Sequence, residues 1–328
     1  MDKRSNWISD QPENLPDFII GGAMKSGTTS LHAILDAHPD IAIQRDELGF
    51  FDMDNIVQHP DFNFYDVKNR EWVSQSMEKE PDLLWNWYHS KFLSLRSDNR
   101  LIGEDSTSYL ASPLAAERIS RQEKPIKLIF ILRHPTNRTV SNYLHKLKSG
   151  RATYTLEDTL RYDPSSILKR SLYKEQLEHF YKYIPFERIK IVLFEDFIQD
   201  KKKCVNEICE FLGVDVNAID SLTFETHSNK TKVPKYINLQ LKRNRWLRRL
   251  GDYRYPNFLP VKSKRKLKIP YWMRTVDHIH KVINPQRSTY TFKPREETRR
   301  FLDAYFRSEL NGIDDLVKKD IFLKWFKD

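Results

Sequence analysis

The chain predicts an α/β fold, a central parallel sheet flanked by helices, and three stretches carry that expectation. Phe18-Ile19-Ile20 is an apolar run that enters Gly21-Gly22, a short loop and then an apolar helical pattern. Residues 126–132, IKLIFIL, are almost continuously apolar, as a parallel strand covered on both faces must be. Ile189 to Phe194 repeats that character, and helical periodicity fills intervals between the strands.

At 328 residues the chain has the length for one large α/β domain or two smaller ones. We expect residues 1–16 to be a polar lead-in and 17–328 a single domain, with a basic helical segment at 228–275. A hydrophobic content of 39% excludes a disordered chain. The formal charge of +10 implies an anionic partner without choosing among nucleic acid, membrane surface, polyanion and phosphorylated cofactor. No apolar run approaches the roughly 20 residues of a membrane span, and the polar start MDKRSNWISDQPENLPDF lacks the apolar segment of a signal peptide. Cys204 and Cys209 lie five apart in a predicted helix, a spacing suited to neither a redox pair nor a metal site. A reduced, cytoplasmic location fits these features.

The first strand delivers GGAMKSGTTSL, residues 21–31. Gly22 and Gly27 have the spacing of the nucleotide-hydrolase loop G-x-x-x-x-G-K-[ST], but Thr28 stands where that loop has lysine, and Lys25 precedes the second glycine. The acidic residue that helps hold magnesium at the end of a second strand is also missing, since the run 126–132 ends in Arg133. Glycines that admit a ligand to the backbone, amides at a helix start, a lysine and three hydroxyls describe a phosphate site of another kind. A plain strand-to-helix turn is the alternative reading.

KSGTTSL resembles the 5′-phosphosulfate loop, K-x-G-T-[TS]-x-L, of sulfotransferases that use 3′-phosphoadenosine 5′-phosphosulfate (PAPS). The resemblance covers nearly the whole chain and implies a P-loop-like sulfotransferase fold. It also implies a metal-independent site in which Lys25, Ser26, Gly27, Thr28, Thr29 and Ser30 hold the 5′ end of PAPS. A sulfuryl group carries less charge than a γ-phosphoryl group, so lysine, hydroxyls and amides can stabilise its transfer.

Leu31, Ile34 and Leu35 predict a helix from Thr28 to about Ala37, stopped by His38-Pro39, and Ile41–Ile43 is the next short strand. The segment QRDELGFFD, residues 44–52, breaks the pattern and resembles E-x-x-F-F-D of the heparan-type branch. That makes Glu47 the candidate base and Asp52 a candidate acceptor contact, and the aromatic pair Phe50-Phe51 is expected to raise the pKa of Glu47. Residues 61–97 are rich in rings, among them Trp72, Trp85, Trp87 and Tyr88, most of them expected in the core, with a helix over 83–95. EDSTSYL, residues 104–110, resembles G-E-[KA]-[ST]-P-x-Y-[FL], with Asp105 where heparan-type enzymes often carry lysine. Asp105 either contacts a neutral or cationic acceptor or caps the following helix or turn.

Arg133 closes a strand at the carboxyl end, where open sheets bind ligands, and Pro135 opens the next helix. LRHPTNRTVSNY resembles L-R-[DN]-P-x-x-R-x-x-S-x-[YF], apart from His134, and so implies Arg133 and Ser141 as ligands of the 3′-phosphate. Arg138 reads as a further contact or a surface cation, and His134 is the runner-up to Glu47 as base. A helical pattern over 166–183 contains KRSLY, similar to R-[SG]-x-Y, which adds Arg170 and Tyr173 near the adenosine phosphate. The strand ending at Phe194, then Glu195-Asp196 and a helix over 201–212 closed by Gly213, read as architecture.

Residues 228–275 hold fifteen Lys or Arg against one acid, Asp252. Asn229-Lys230-Thr231-Lys232 resembles the family's late loop over the cofactor phosphates, which makes Lys230 and Lys232 candidates. The remainder reads as a solvated basic face near a polyanionic cofactor in preference to a membrane-surface or nucleic-acid patch. Trp246, Leu247 and Leu250 are expected to pack on the body. The last helix, with its acidic first turn and Phe301, Leu302, Tyr305 and Phe306, and the anchor Trp325, are expected to be structural.

The expectation is a sulfotransferase that moves a sulfuryl group from PAPS to a hydroxyl or amine of a carbohydrate or small-molecule acceptor. Glu47 removes the acceptor proton and Lys25 stabilises the departing bridging oxygen; no metal, nucleic acid or membrane span is expected. A P-loop-type small-molecule kinase and a non-enzymatic polyanion-binding module built on 228–275 are the alternatives.

Overall fold

The computed structural model describes residues 5–66, 69–74, 76–96, 100–226, 232–247 and 270–326. In chain order the main elements are β1 Phe18–Gly22, α1 Thr28–Asp36, β2 Ile41–Ile43, α2 Pro81–Leu93, β3 Leu101–Asp105, β4 Lys127–Leu132, α3 Pro135–Lys148, α4 Tyr173–Tyr181, β5 Ile189–Leu193, α5 Lys201–Leu212, α6 Ile237–Trp246, α7 Tyr271–Ile283 and α8 Glu296–Glu309. The sequence expects one domain over 17–328. Contacts group the chain into two compact units, Met1–His134 with Tyr173–Asn229 and Gly312–Ile321, and Pro135–Leu172 with Lys230–Asn311 and Phe322–Asp328. Each unit is assembled from separated stretches, so no composition shift marks the division.

The first unit holds the predicted central sheet, five parallel strands in the order β2-β3-β1-β4-β5. Alternation along the strands sends Phe18, Ile20, Ile129 and Ile131 to one face, where Leu31, Ile34, Val205 and Ile208 of α1 and α5 close the core. β1 lies at the switch point of the strand order, with β3 on one side and β4 on the other, so their carboxyl ends converge on the loop that follows it. α5 starts where the Asp200 carboxylate accepts from Lys203 N at 2.9 Å and ends at Gly213, whose φ of 90° takes the left-handed position after a helix. Both ends match the sequence reading.

In the second unit Pro135 opens α3, and Val140, Tyr143, Leu144 and Leu147 pack with Leu156, Ile167, Val233 and Leu241. The helical pattern read over 166–183 is not one helix. Ser165–Leu168 passes into a 3-10 turn, Lys169–Ser171, and Leu172 leaves the helical region before α4 begins. Of the rings expected in the core, Trp85 and Tyr88 are buried while Trp72 is exposed. Leu247 is buried as expected, but Trp246 is 81% exposed, and Leu250 lies outside the described residues. In α8 Leu302 and Phe306 are buried and Phe301 is exposed, and Trp325 is buried further along. Among the described residues no helix is long and apolar enough to cross a membrane.

Candidate active site

β1 ends in a loop built to bring backbone close to a ligand. Ala23 N donates to Ile131 O of β4 at 2.9 Å, and Ser26 N turns back to Ala23 O at 3.2 Å. Gly22 has φ 144°, and a Cβ on it would lie 3.2 Å from Thr107 O and 3.0 Å from Leu110 Cβ. Gly27 has φ 92°, and its Cβ would press on the Phe194 ring at 3.0 Å. Only glycine meets both conditions. Between them Lys25 also takes a left-handed φ, 71°, uncommon for a residue with a side chain. Backbone of this kind is suited to presenting N–H groups to an anion, and α1 begins immediately after Gly27.

Ser26 is fully buried, and its hydroxyl has no hydrogen-bond partner among the described residues. A buried hydroxyl left unpaired costs stability unless a ligand takes it up. Thr28 is buried, Lys25 and Ser30 are half-buried, and Thr29 is exposed. The predicted set is therefore brought together, and its donors suit a phosphate- or sulfate-like group.

Arg133, at the carboxyl end of β4, is tied to this loop: its Nη1 donates to Lys25 O at 3.0 Å. The guanidinium lies over the Phe194 ring at 4.5 Å, and the same ring packs against Gly27. Desolvation lowers the Arg133 pKa, and Glu195 opposes that effect. Tyr173 is fully buried and donates its hydroxyl to Arg133 O at 2.9 Å, so it holds the Arg133 backbone. His134, the runner-up base, is buried, and its backbone N donates to Glu195 Oε1 at 2.9 Å. Phe194 and Glu195, read from sequence as architecture, thus belong to the site.

In the second unit Ser141 is buried on α3 and Arg170 is half-buried in the 3-10 turn. Arg138 is no surface cation: it is fully buried and donates to Ser171 Oγ and Ile167 O. Lys232 is exposed, and Lys230 and Asn229 lie outside the described residues.

On the other side of the phosphate loop, Gly49 turns at φ 57° into Phe50–Asp52. Glu47 is exposed, and its Oε2 accepts from Thr107 Oγ1 at 2.8 Å. The phenylalanines do not shield it, because both rings are fully buried and Phe50 stacks on Tyr88 at 4.1 Å. The expected desolvation falls on Glu104 instead. Burial raises its pKa to about 7, against the pull of three hydroxyl donors. These are Tyr88, Ser106 at 2.5 Å and Tyr109 at 2.7 Å. Burial and then Glu104 push both tyrosine hydroxyls well above their usual pKa, so they stay protonated donors.

Two of these hydroxyls pass the bond on. Ser106 Oγ accepts from Gly49 N at 2.9 Å, and Tyr109 OH accepts from Phe51 N at 3.2 Å. Glu104 therefore clamps the segment that carries Glu47 and Asp52. A carboxylate interrupting LIG at the end of a strand, with Ser106, Ser108 and Tyr109 after it, was the signal available in sequence.

Asp52 is fully buried, pairs with His59 Nε2 at 2.7 Å and takes Ser108 Oγ at 3.3 Å; its Oδ2 has no partner among the described residues. Asp105 is buried and pairs with His32 Nδ1 at 3.2 Å, leaving Oδ1 without a partner among the described residues. It does not cap the following 3-10 turn, which has no side-chain cap. Among the described residues no group of three or more His, Cys, Asp or Glu is disposed to hold a metal ion.

Residues 16–218, more than half of the chain, match the model of the sulfotransferase family. The chain is similar to heparan sulfate glucosamine 3-O-sulfotransferase 5 of Mus musculus, 28% identical over 201 residues that cover 58% of this chain and 51% of the relative. It is similar as well to heparan sulfate glucosamine 3-O-sulfotransferase 3A1 of Homo sapiens, 26% identical over 233 residues, 69% of this chain and 50% of the relative. The chain spans about half the length of these curated relatives. Among solved structures, a sulfotransferase from Alicyclobacillus acidocaldarius shares the fold, with TM-score 0.59 and 21% identity over 95% of this chain and 98% of that one.

Proposed function

This chain belongs to the sulfotransferase family, and on that footing we propose that it transfers a sulfuryl group from PAPS to a hydroxyl or amine of a carbohydrate or small-molecule acceptor, without a metal. The observation that carries the reading is the phosphate loop: two glycines in left-handed backbone, Lys25 between them in the same region, and the buried Ser26 hydroxyl with no partner. PAPS, when bound, supplies the sulfuryl group on a phosphate leaving group. The amides of residues 26–29 with the Ser26, Thr28, Thr29 and Ser30 hydroxyls hold its 5′ end, and Lys25 neutralises charge on the bridging oxygen. Arg133 and Ser141 are assigned to the 3′-phosphate on their spacing along the chain, with Arg170, Lys230 and Lys232 as supporting cations. Tyr173 acts one step back, through the Arg133 carbonyl.

Glu47 takes the proton of the acceptor. Its exposure leaves the carboxylate reachable, and Thr107 aims one of its oxygens. The names of the relatives point to a glucosamine hydroxyl as one acceptor. The buried carboxylates Asp52 and Asp105, each with an unpaired oxygen, favour an acceptor that offers hydrogen-bond donors and is neutral or cationic. Two free, buried cysteines support the reducing cytoplasm as the place of action.

The test is an assay with radiolabelled PAPS and an acceptor panel in the presence of EDTA. Transfer is expected without metal, abolished by Lys25→Ala and strongly reduced by Glu47→Gln with the 3′,5′-bisphosphate product still bound. Full activity of Glu47→Gln removes it as base, and absence of PAPS binding by the wild type removes the reading.

A further inference from the structure

Helix α7 packs with its polar side inward. Asp277 is its one buried residue; it takes Arg243 Nε of α6 at 2.9 Å and Lys281 Nζ at 2.8 Å. His280 Nε2 meets Gln240 Oε1 at 3.1 Å, and Gln240 is itself buried and donates to Asn244. Asn244, fully buried, holds the end of α3 through Leu147 O and Ala152 O, both at 2.8 Å. Just past the helix, Asn284 exchanges two hydrogen bonds with the Tyr236 backbone, at 2.7 and 3.0 Å. The docking of α7 onto its unit is thus a polar network.

Its apolar residues face the other way. Trp272, Val276, Ile279 and Ile283 recur at helical spacing, and with Tyr271 and Val282 they are 41% to 84% exposed. A helix of a globular protein ordinarily buries such a stripe, and a contiguous exposed one marks an interaction surface. The exposed charges of α6 and α7 are all basic, Lys242, Arg245, Arg274 and Lys281, while the one acid on either helix, Asp277, is buried. An apolar stripe begun by Tyr and Trp, with exposed charges that are all basic, matches the composition of helices that lie in a bilayer interface.

We propose that α7 seats this protein on an anionic lipid surface, its apolar stripe entering the headgroup boundary and the exposed cations of α6 and α7 drawn to the negative headgroups. The charge selects this occupant. A second copy pairing on the same face would bring like charges together, and a nucleic acid would use the charge but leave the stripe in water. Because the polar network already fixes the inward side, the helix can enter the interface without being released from its unit. The inference is independent of the sulfuryl-transfer reading.

The experiment is flotation of the full chain with phosphatidylcholine vesicles, with and without phosphatidylserine. The wild type is expected to float with the anionic vesicles, poorly with neutral ones, and less as salt is raised. Ile279→Glu and Trp272→Ser change exposed side chains and keep the fold, which circular dichroism checks. Each is expected to lower the vesicle-bound fraction roughly tenfold and to leave binding of the 3′,5′-bisphosphate product unchanged. A wild type that stays with the soluble fraction overturns the proposal, as does flotation unaffected by both variants. A dimer in sedimentation that Ile279→Glu dissociates, with no flotation, assigns the face to a second copy instead.

Discussion

Glu104 and Gly49 are joined through one hydroxyl: Ser106 Oγ donates to the Glu104 carboxylate at 2.5 Å and accepts the Gly49 amide at 2.9 Å. Tyr109 makes the parallel link from the same carboxylate oxygen to the Phe51 amide. The direction of both relays follows from an ionised carboxylate, which only accepts. Glu104→Gln places an N–H₂ group among three hydroxyl donors and forces one of them to turn. The variant is expected to fold, to lose about 1–3 kcal/mol of stability, and to drop in turnover by about tenfold with binding of the bisphosphate product unchanged. Turnover equal to wild type disconnects Glu104 from the Glu47 segment.

The Glu104 carboxyl also sets a pH dependence. Its pKa is raised by burial from 4.5 to about 7 in the folded protein, so the folded state holds the proton more tightly than the unfolded state. Stability therefore falls as pH rises from about 4.5 to about 7, by on the order of 3 kcal/mol, and this contribution levels off above that range. Activity moves oppositely, since the ionised form accepts all three hydroxyls. Melting curves of wild type and Glu104→Gln across this window are the measurement, and the difference between their slopes is expected to isolate this group.

Ser26→Ala separates binding from folding by the sign of its effects. The hydroxyl is buried and without a partner, so its removal is expected to leave the free protein unchanged or more stable by about 0.5–1 kcal/mol. If the hydroxyl serves the 5′-phosphate, the same variant binds the bisphosphate about tenfold more weakly. Calorimetry reads both quantities, and affinity equal to wild type removes Ser26 from the cradle.

Tyr173→Phe removes the donor that holds Arg133 O and leaves that carbonyl unpaired by this side chain. A stability loss of about 1 kcal/mol is expected. Weakening of bisphosphate affinity by several-fold, with acceptor KM unchanged, distinguishes a positioning role for Arg133 from simple packing.

Much of the fold was legible because its determinants are local. Periodicity at Leu31, Ile34 and Leu35 marked α1, Gly213 marked the end of α5, and Pro135 marked the start of α3. The phosphate loop was legible for the same reason, since two glycines five apart fix its backbone whatever lies elsewhere. Glu47 and Glu104 were harder to rank. Both stand beside apolar residues in the chain, yet one is exposed and the other fully buried. The difference arises because β3 lies between β2 and β1 in the sheet, and the Tyr88, Ser106 and Tyr109 hydroxyls converge there.

By itself the sequence determined where β1 leads into α1, where α3 starts and where α5 starts and stops, which charges cluster, and that a lysine-bearing loop follows β1, because those properties depend on neighbours along the chain. Tertiary structure alone decided which carboxylate is desolvated, that Arg138 is buried rather than a surface cation, and that α7 turns its apolar stripe outward. Periodicity defines a stripe on a helix but not the side from which the rest of the protein approaches. The Gly49–Ser106 and Phe51–Tyr109 bonds span 57 and 58 residues of chain, a separation at which only packing chooses partners.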